Sequence, residues 1–308
     1  MGRPGGGSDR SKVKLITWNV QWFRGIDGRV DLARLIKHAR AMADFDLICM
    51  QEVACNYPAL PGGASDDQPS LLQDLLPGFQ VFFGAAVNEF RMLGGRMQGQ
   101  RFGNLIATRL PVHQVQHHPL PYPADPRPGG ARSMPRMCSV ATVHAPWGPL
   151  RVMTTHLEFY SPLQRSAQVA GLRALHAQAC AQVAHPPLQD ETGWPFQNKP
   201  HTPSALLCGD FNFEPGSEDY RAMLAPFSSG AASPGLAAPP SWQDCWTVLH
   251  EKQPHPPTFR LFDRQYGPEP ISCDFVFASA DLAPRLRRIQ VDLQTQASDH
   301  QPVLLELG

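Results

Sequence analysis

Nine short apolar runs punctuate this chain, and several are apolar almost without interruption: VKLITWN, FDLICMQEV, FQVFFG, NLIATRL, CSVATVHA, LRVMTTHLE, SALLCGD, CDFVFAS and QPVLLEL. Short unbroken runs of this kind are what strands covered on both faces look like. Two stretches between them have helical spacing. RVDLARLIKHARAM places Val30, Leu32, Leu35, Ile36 and Ala39 on one face. SPLQRSAQVAGLRALHAQACAQVA has Ser161 as N-cap, Pro162 as first helical residue, and Pro186 and Pro187 as its stop. Many strands with few helices imply an α/β fold: two packed mixed β-sheets flanked by helices, a four-layer sandwich. Long loops at 118–136, 186–203 and 226–241 hold much of the chain's proline and read as ordered surface loops.

Composition narrows the function classes. The chain has 308 residues and 42% hydrophobic content, enough for a sizeable core. Lysine plus arginine total 27, as do aspartate plus glutamate, so the basic excess of a general nucleic-acid binder is absent. The seven cysteines form no CxxC pair, which suits a reduced, cytoplasmic protein. Residues 1–12 are polar and Gly-rich and are expected to be a disordered tail, with residues 13–308 as one catalytic domain. No run approaches the ~20 apolar residues that span a bilayer. A monomer is expected.

The strand boundaries carry a second pattern. Asn19 and Glu52 end two runs, His156 ends a third, and LLCGDFN delivers Asp210 and Asn212. Asp274 opens another run, and Asp299 and His300 precede the last. Any one of these reads equally well as a turn former, an exposed terminus or a core histidine. Their conjunction does not, because strand ends in a layered fold meet at one edge, where sites are built. Four carboxylates at close range raise one another's pKa unless a cation is present. Oxygen donors with no cysteine cluster favour Mg²⁺ or Mn²⁺ over zinc, and such a site suits phosphate-ester hydrolysis.

These motifs resemble the endonuclease/exonuclease/phosphatase superfamily, with its deoxyribonuclease I-like fold. GDFN and SDH are the most specific pieces, supported by QEV and THLE, and the resemblance runs from TWNVQW to SDHQPV. It implies Glu52 as the principal metal ligand, Asn19 near metal and phosphate, and Asp299 beside the metal. It implies that Asp210 activates the attacking water and Asn212 holds the phosphate. His300 would contact the phosphate with Asp274 holding its ring, and His156 would be a further phosphate contact. Asp210 and His300 both stay open as the base.

The resemblance has departures. MQEV lacks a lysine that repair nucleases of the family often carry after the glutamate, Gln21 stands where some carry aspartate, and SCDF replaces the WCDR-like motif of inositol polyphosphate phosphatases. TTHLE looks more like the tyrosyl-DNA phosphodiesterase and deadenylase branches. The expected partner is a phosphate-ester substrate, with nucleic acid first and a small or lipid phosphoester second. A retired binding protein on the same fold would lack a key group, and none is missing. Residues 88–104 hold Arg91, Arg96 and Arg101 against one acid, and with Asn104 read either as a groove contact for substrate or as a solvated hairpin end. Arg165 and Gln168, on the second helix, either approach the site or are ordinary helix-face residues.

Overall fold

A computed structural model describes residues 11–188, 190, 192, 195–196, 199–230 and 235–308. Most of the tail expected at residues 1–12, namely 1–10, lies outside the described residues. The strands are β1 (Val13–Asn19), β2 (Leu47–Tyr57), β3 (Ala64–Asp67), β4 (Gln80–Leu93), β5 (Arg96–Thr108), β6 (Val112–Pro119) and β7 (Met137–Ala145). They continue as β8 (Gly148–His156), β9 (Ala205–Asp210), β10 (Trp242–Asp244), β11 (Asp274–Ser279), β12 (Leu286–Val291) and β13 (Val303–Leu307). Helices α1 (Leu32–Met42), α2 (Gln68–Leu75), α3 (Pro162–Ala184), α4 (Glu218–Leu224) and α5 (Cys245–His250) lie between them.

The strands form two mixed sheets. One runs β12-β13-β1-β2-β5-β4 with β3 added beside β2, and the other runs β10-β11-β9-β8-β7-β6. The parallel pairs are β1–β2 in the first sheet and β8–β9 in the second. Period-two alternation sorts β1 cleanly: Val13 and Leu15 face the second sheet, whereas Ile16 and Trp18 face α1. Val152, Leu206, Cys208 and Val276 answer Leu15 from across the inter-sheet core. The outer face of the second sheet packs Met153, Leu207 and Phe277 against Val169 and Leu172 of α3. The result is helix, sheet, sheet, helix.

Both expected helices form. Asp31 caps α1, its carboxylate accepting from the Arg34 N–H at 2.8 Å. Ser161 caps α3 with Pro162 in the first turn, and the helix stops two residues before Pro186.

Candidate active site

The site lies where β1, β8, β9 and β11 begin or end, beside a bulge in the middle of β2; Glu52, expected to end its run, instead sits inside a strand that continues to Tyr57. Parallel register sets His156 of β8 beside Asp210 of β9, and antiparallel register sets Asp210 opposite Asp274 of β11. Gly209 makes that convergence possible. Its φ is +138°, and a Cβ there would sit 1.9 Å from the Thr155 carbonyl oxygen, so β8 and β9 could not approach as they do. Four non-glycine residues lining the cleft at this edge adopt left-handed backbone, Gln21 at φ 43°, Trp22 at φ 44°, Glu52 at φ 61° and Asn212 at φ 51°. Glu52 falls in the register shift between Met50 and Val53, a bulge that re-aims its carboxylate.

Asp210 is the hub. Its Oδ2 accepts from Asn19 Nδ2 at 2.9 Å and lies 3.4 Å from His156 Nε2 and 3.7 Å from His300 Nε2. Asn19 Nδ2 also reaches Glu52 Oε1 at 3.1 Å, so one amide links the end of β1 to the β2 bulge and to Asp210 of the second sheet. His300 Nδ1 donates to Asp274 Oδ2 at 2.9 Å, and Phe259 stacks on the ring with centroids 4.2 Å apart. Asn212 bonds back to its own strand end: its N–H donates to Asp210 Oδ1 and its Nδ2 to the Leu157 carbonyl. Asp299 accepts from Gln21 Nε2 at 2.8 Å, and Ser298 Oγ donates to the Asn19 carbonyl.

Burial sets the titration of this cluster. It raises Asp210 to about 6, and it raises Asp299 to about 6 with help from the nearby Glu52 charge. Burial also raises Glu52, whose side chain keeps 20% exposure. For His300, burial works against the charged form, but Asp274, Asp210 and Asp299 outweigh it and raise the ring to about 10. His156 goes the other way, lowered by burial and by the charges of Arg136 and His300, and is neutral.

The donor set fits a divalent cation with oxygen preference. Glu52 and Asp299 line one cleft, and Asp299 is pushed up partly by Glu52; a cation beside both would reverse that repulsion. Asp210, His300 and Cys273 also bring ligand atoms within 4.8 Å of one another. Burial holds the Cys273 thiol far above its usual range, so it stays protonated, and it donates to Asp274 Oδ2. A soft, protonated sulfur does not suit Mg²⁺ or Mn²⁺.

The cleft measures about 320 Å³. Of the fourteen candidates named from the sequence, Glu52, His156, Asp210, Asn212, Asp299 and His300 line it, while Asn19 and Asp274 bond to its lining residues. Six others fall outside the lining. Arg91 and Arg96 stand on the exposed end of the β4–β5 hairpin. Arg101 is held by Cys55 Sγ and lies 3.6 Å from Asp67. Asn104 is buried and donates to the Met137 carbonyl. Arg165 pairs with Asp219 at 2.9 Å and donates to the carbonyls of Glu158 and Phe159, which pins the loop after His156. Gln168 accepts from the Glu158 N–H and serves the same loop.

Several cleft residues went unassigned from sequence. Arg136 is buried, pairs through Nε with the fully buried Glu158 at 3.3 Å, and has no partner for Nη1. The glutamate of THLE was the available signal for it. Trp22, Phe159, Tyr160 and Tyr266 supply aromatic walls, with Arg132 over the Tyr160 ring at 5.5 Å.

Two packed mixed sheets with acids, amides and histidines at one edge define a phosphoester hydrolase of the layered α/β class. The chain belongs to the Endonuclease/Exonuclease/phosphatase family, whose model matches residues 16–300. No curated protein sequence gives a significant match. Among solved structures, the chain is similar to an endonuclease/exonuclease/phosphatase from Beutenbergia cavernae, with TM-score 0.64 and 22% identity over 97% of this chain and 72% of that one. It is also similar to D. rerio TDP2 solved with a single-strand DNA product, with TM-score 0.59 and 16% identity over 97% and 99%. A mannosyl-6-phosphatase from Bacteroides thetaiotaomicron gives TM-score 0.55 and 17% identity over 96% and 99%. At these identities the likeness establishes the fold.

Proposed function

We propose that this protein is a divalent-metal-dependent phosphoesterase in which water attacks phosphorus directly. The supporting observation is the placing of Asp210 Oδ2 and His300 Nε2 3.7 Å apart on one cleft, with Asp210 raised to about 6 and His300 to about 10. Between those values Asp210 is ionised and can accept a proton from water, while His300 is an imidazolium. Opposed titration of neighbouring groups is how a site holds a base and a cationic phosphate contact at once.

Asn19 fixes the Asp210 carboxylate through the 2.9 Å bond. Asp274 holds the His300 ring and keeps it charged. Asn212 and neutral His156 face the phosphate as donors, with the Arg136 charge beside them stabilising charge on its oxygens. Glu52 and Asp299 would hold Mg²⁺ or Mn²⁺, which when bound supplies charge neutralisation at the phosphate.

A nucleic-acid phosphodiester is the first reading for substrate. The aromatic walls at Trp22, Phe159, Tyr160 and Tyr266 suit unstacked bases, and the similar D. rerio protein was solved with a DNA product. A small phosphoester is the second reading, favoured by the zero net charge. A panel of single-stranded DNA, RNA, sugar phosphates and lipid phosphodiesters with Mg²⁺ tests this. Metal-dependent turnover removed by EDTA and by Asp210→Asn is expected. Inertness toward every ester with either metal would sink the reading.

A further inference from the structure

The outer end of the β4–β5 hairpin belongs to no part of the site. The ribbon last touches β2 where Asn56 Nδ2 donates to the Gly99 carbonyl and Gln100 Nε2 donates to the Asn56 carbonyl. Beyond the Phe90–Gly99 pair come Arg91–Gln98, Met92–Met97 and Leu93–Arg96. At ~3.3 Å per residue these carry the ribbon roughly 10 Å outward. Gly94 and Gly95 close it with φ values of 57° and 78°, the left-handed pair a tight two-residue turn requires.

Phe90, Met92 and Met97 are 69%, 59% and 63% exposed. Alternation puts Phe90 and Met92 on one face, with Met97 directly across from Met92. Arg91 and Arg96 share the opposite face, and neither makes an ion pair among the described residues. No acid occurs from Phe90 to Thr108, and the nearest, Glu89, accepts from the Tyr57 hydroxyl at 2.9 Å. Single exposed apolar residues are ordinary; three large ones clustered at a projecting tip, flanked by unpaired cations, are not.

We propose that this tip docks the protein on an anionic lipid surface. Phe90, Met92 and Met97 enter the headgroup–acyl boundary, and Arg91 and Arg96 meet lipid phosphates. The ~10 Å projection matches the ~5–10 Å depth at which interfacial elements sit. Leu93 and Arg96 flank the turn, Met92 and Met97 follow one pair back, and Phe90 stands at the base of the projection; the two methionines enter with the turn, and the arginines reach the headgroups along their aliphatic stems. Charge complementarity favours an acidic surface, because the tip carries cations and no acid. A nucleic-acid strand fits less well: stacking and phosphate contacts call for aromatic and cationic groups on one face, and here they oppose. No helix among the described residues is long and apolar enough to span a membrane, so attachment by this element is peripheral.

Co-sedimentation of the full chain with phosphatidylcholine vesicles, with and without phosphatidylserine and without divalent metal, tests the proposal. Binding to phosphatidylserine vesicles is expected, weakened by about 10-fold or more in Phe90→Ser/Met92→Ser/Met97→Ser. Arg91→Gln/Arg96→Gln should erase the preference for the acidic lipid. All substitutions lie on the exposed tip, and matched melting temperatures confirm an intact fold. The proposal is overturned if wild type stays in the supernatant, or if the serine variant binds as wild type does. Loss of self-association or of oligonucleotide binding in the serine variant, with no vesicle binding in wild type, also overturns it and names the other occupant. No turnover is measured, so the outcome is independent of the hydrolase reading.

Discussion

Asp274→Asn isolates the electrostatics on which the mechanism rests. The substitution keeps the shape of the partner that receives His300 Nδ1 at 2.9 Å but removes its charge. His300 stands at about 10 against an ordinary 6.5. That rise corresponds to roughly 5 kcal/mol in favour of the imidazolium. Asp274 is the largest contribution on the raising side, and burial, the largest of all, opposes it. Without Asp274 the alkaline limb of kcat/KM should fall from about 10 by roughly two units or more, and the acid limb set by Asp210 should move below about 6, because the Asp274 charge is one of the causes that raise Asp210. Stability changes with a defined sign. A histidine raised above its unfolded value contributes stability fully present below about 6.5 and lost as pH rises through about 10. The variant should therefore be less stable than wild type at pH 7, with the difference closing toward pH 10. The assay is kcat/KM across pH 5 to 11 (roughly the span of the two limbs) on a generic phosphodiester, beside urea melts at matching pH. An alkaline limb that does not move, with activity near wild type, would refute the reasoning.

Three further outcomes follow from the packing. Gly209→Ala must relieve both a +138° φ and a 1.9 Å approach to the Thr155 carbonyl, so thermal denaturation should show a loss of about 3 kcal/mol or more, with activity falling too. His176 accepts at Nδ1 from Arg151, a pure donor, and donates at Nε2 to the Pro240 carbonyl, which fixes it neutral; burial, with Arg151, lowers it to about 4. Its stabilisation is present above about 6.5 and lost as pH falls through about 4, so urea midpoints of His176→Gln should depend less steeply on pH in that window than wild type. Arg136→Gln leaves the buried Glu158 carboxylate unpaired and should cost about 3–5 kcal/mol; adding Glu158→Gln should restore the melt but not the kcat/KM, reduced ~10-fold or more.

Much of this structure was legible in the chain because burial on both faces leaves unbroken apolar runs. Each of the nine runs lies in or overlaps a strand, and the two periodic stretches are α1 and α3. What stayed hidden lacks that pattern. The edge strand VHQVQHHP is mostly polar, with Val112 and Val115 packed on the core, and WQD is too short to show a period. Seven polar groups at or just beyond strand ends, with Glu52 at a bulge inside β2, came together because register is inherited from the apolar pattern: once β8 and β9 pair in parallel, His156 and Asp210 must be neighbours. Arg136 and Arg132 lie just outside β7, at the end of a loop with no period to announce its path. The arginines of 88–104 were visible as a basic cluster, but not their direction. A register shift between Ala85 and Val87 and the close approach of Gly84 O to Gly103 decide which face each side chain takes.

The central claim is that water meets phosphorus at Asp210. Hydrolysis of a phosphodiester in ¹⁸O-enriched water with Mg²⁺, followed by mass spectrometry of both products, tests it most directly. The label should enter the phosphoryl product alone, and Asp210→Asn should slow its appearance by about 100-fold or more while leaving the melt near wild type. Label in the leaving alcohol, or undiminished incorporation in Asp210→Asn, would contradict the account.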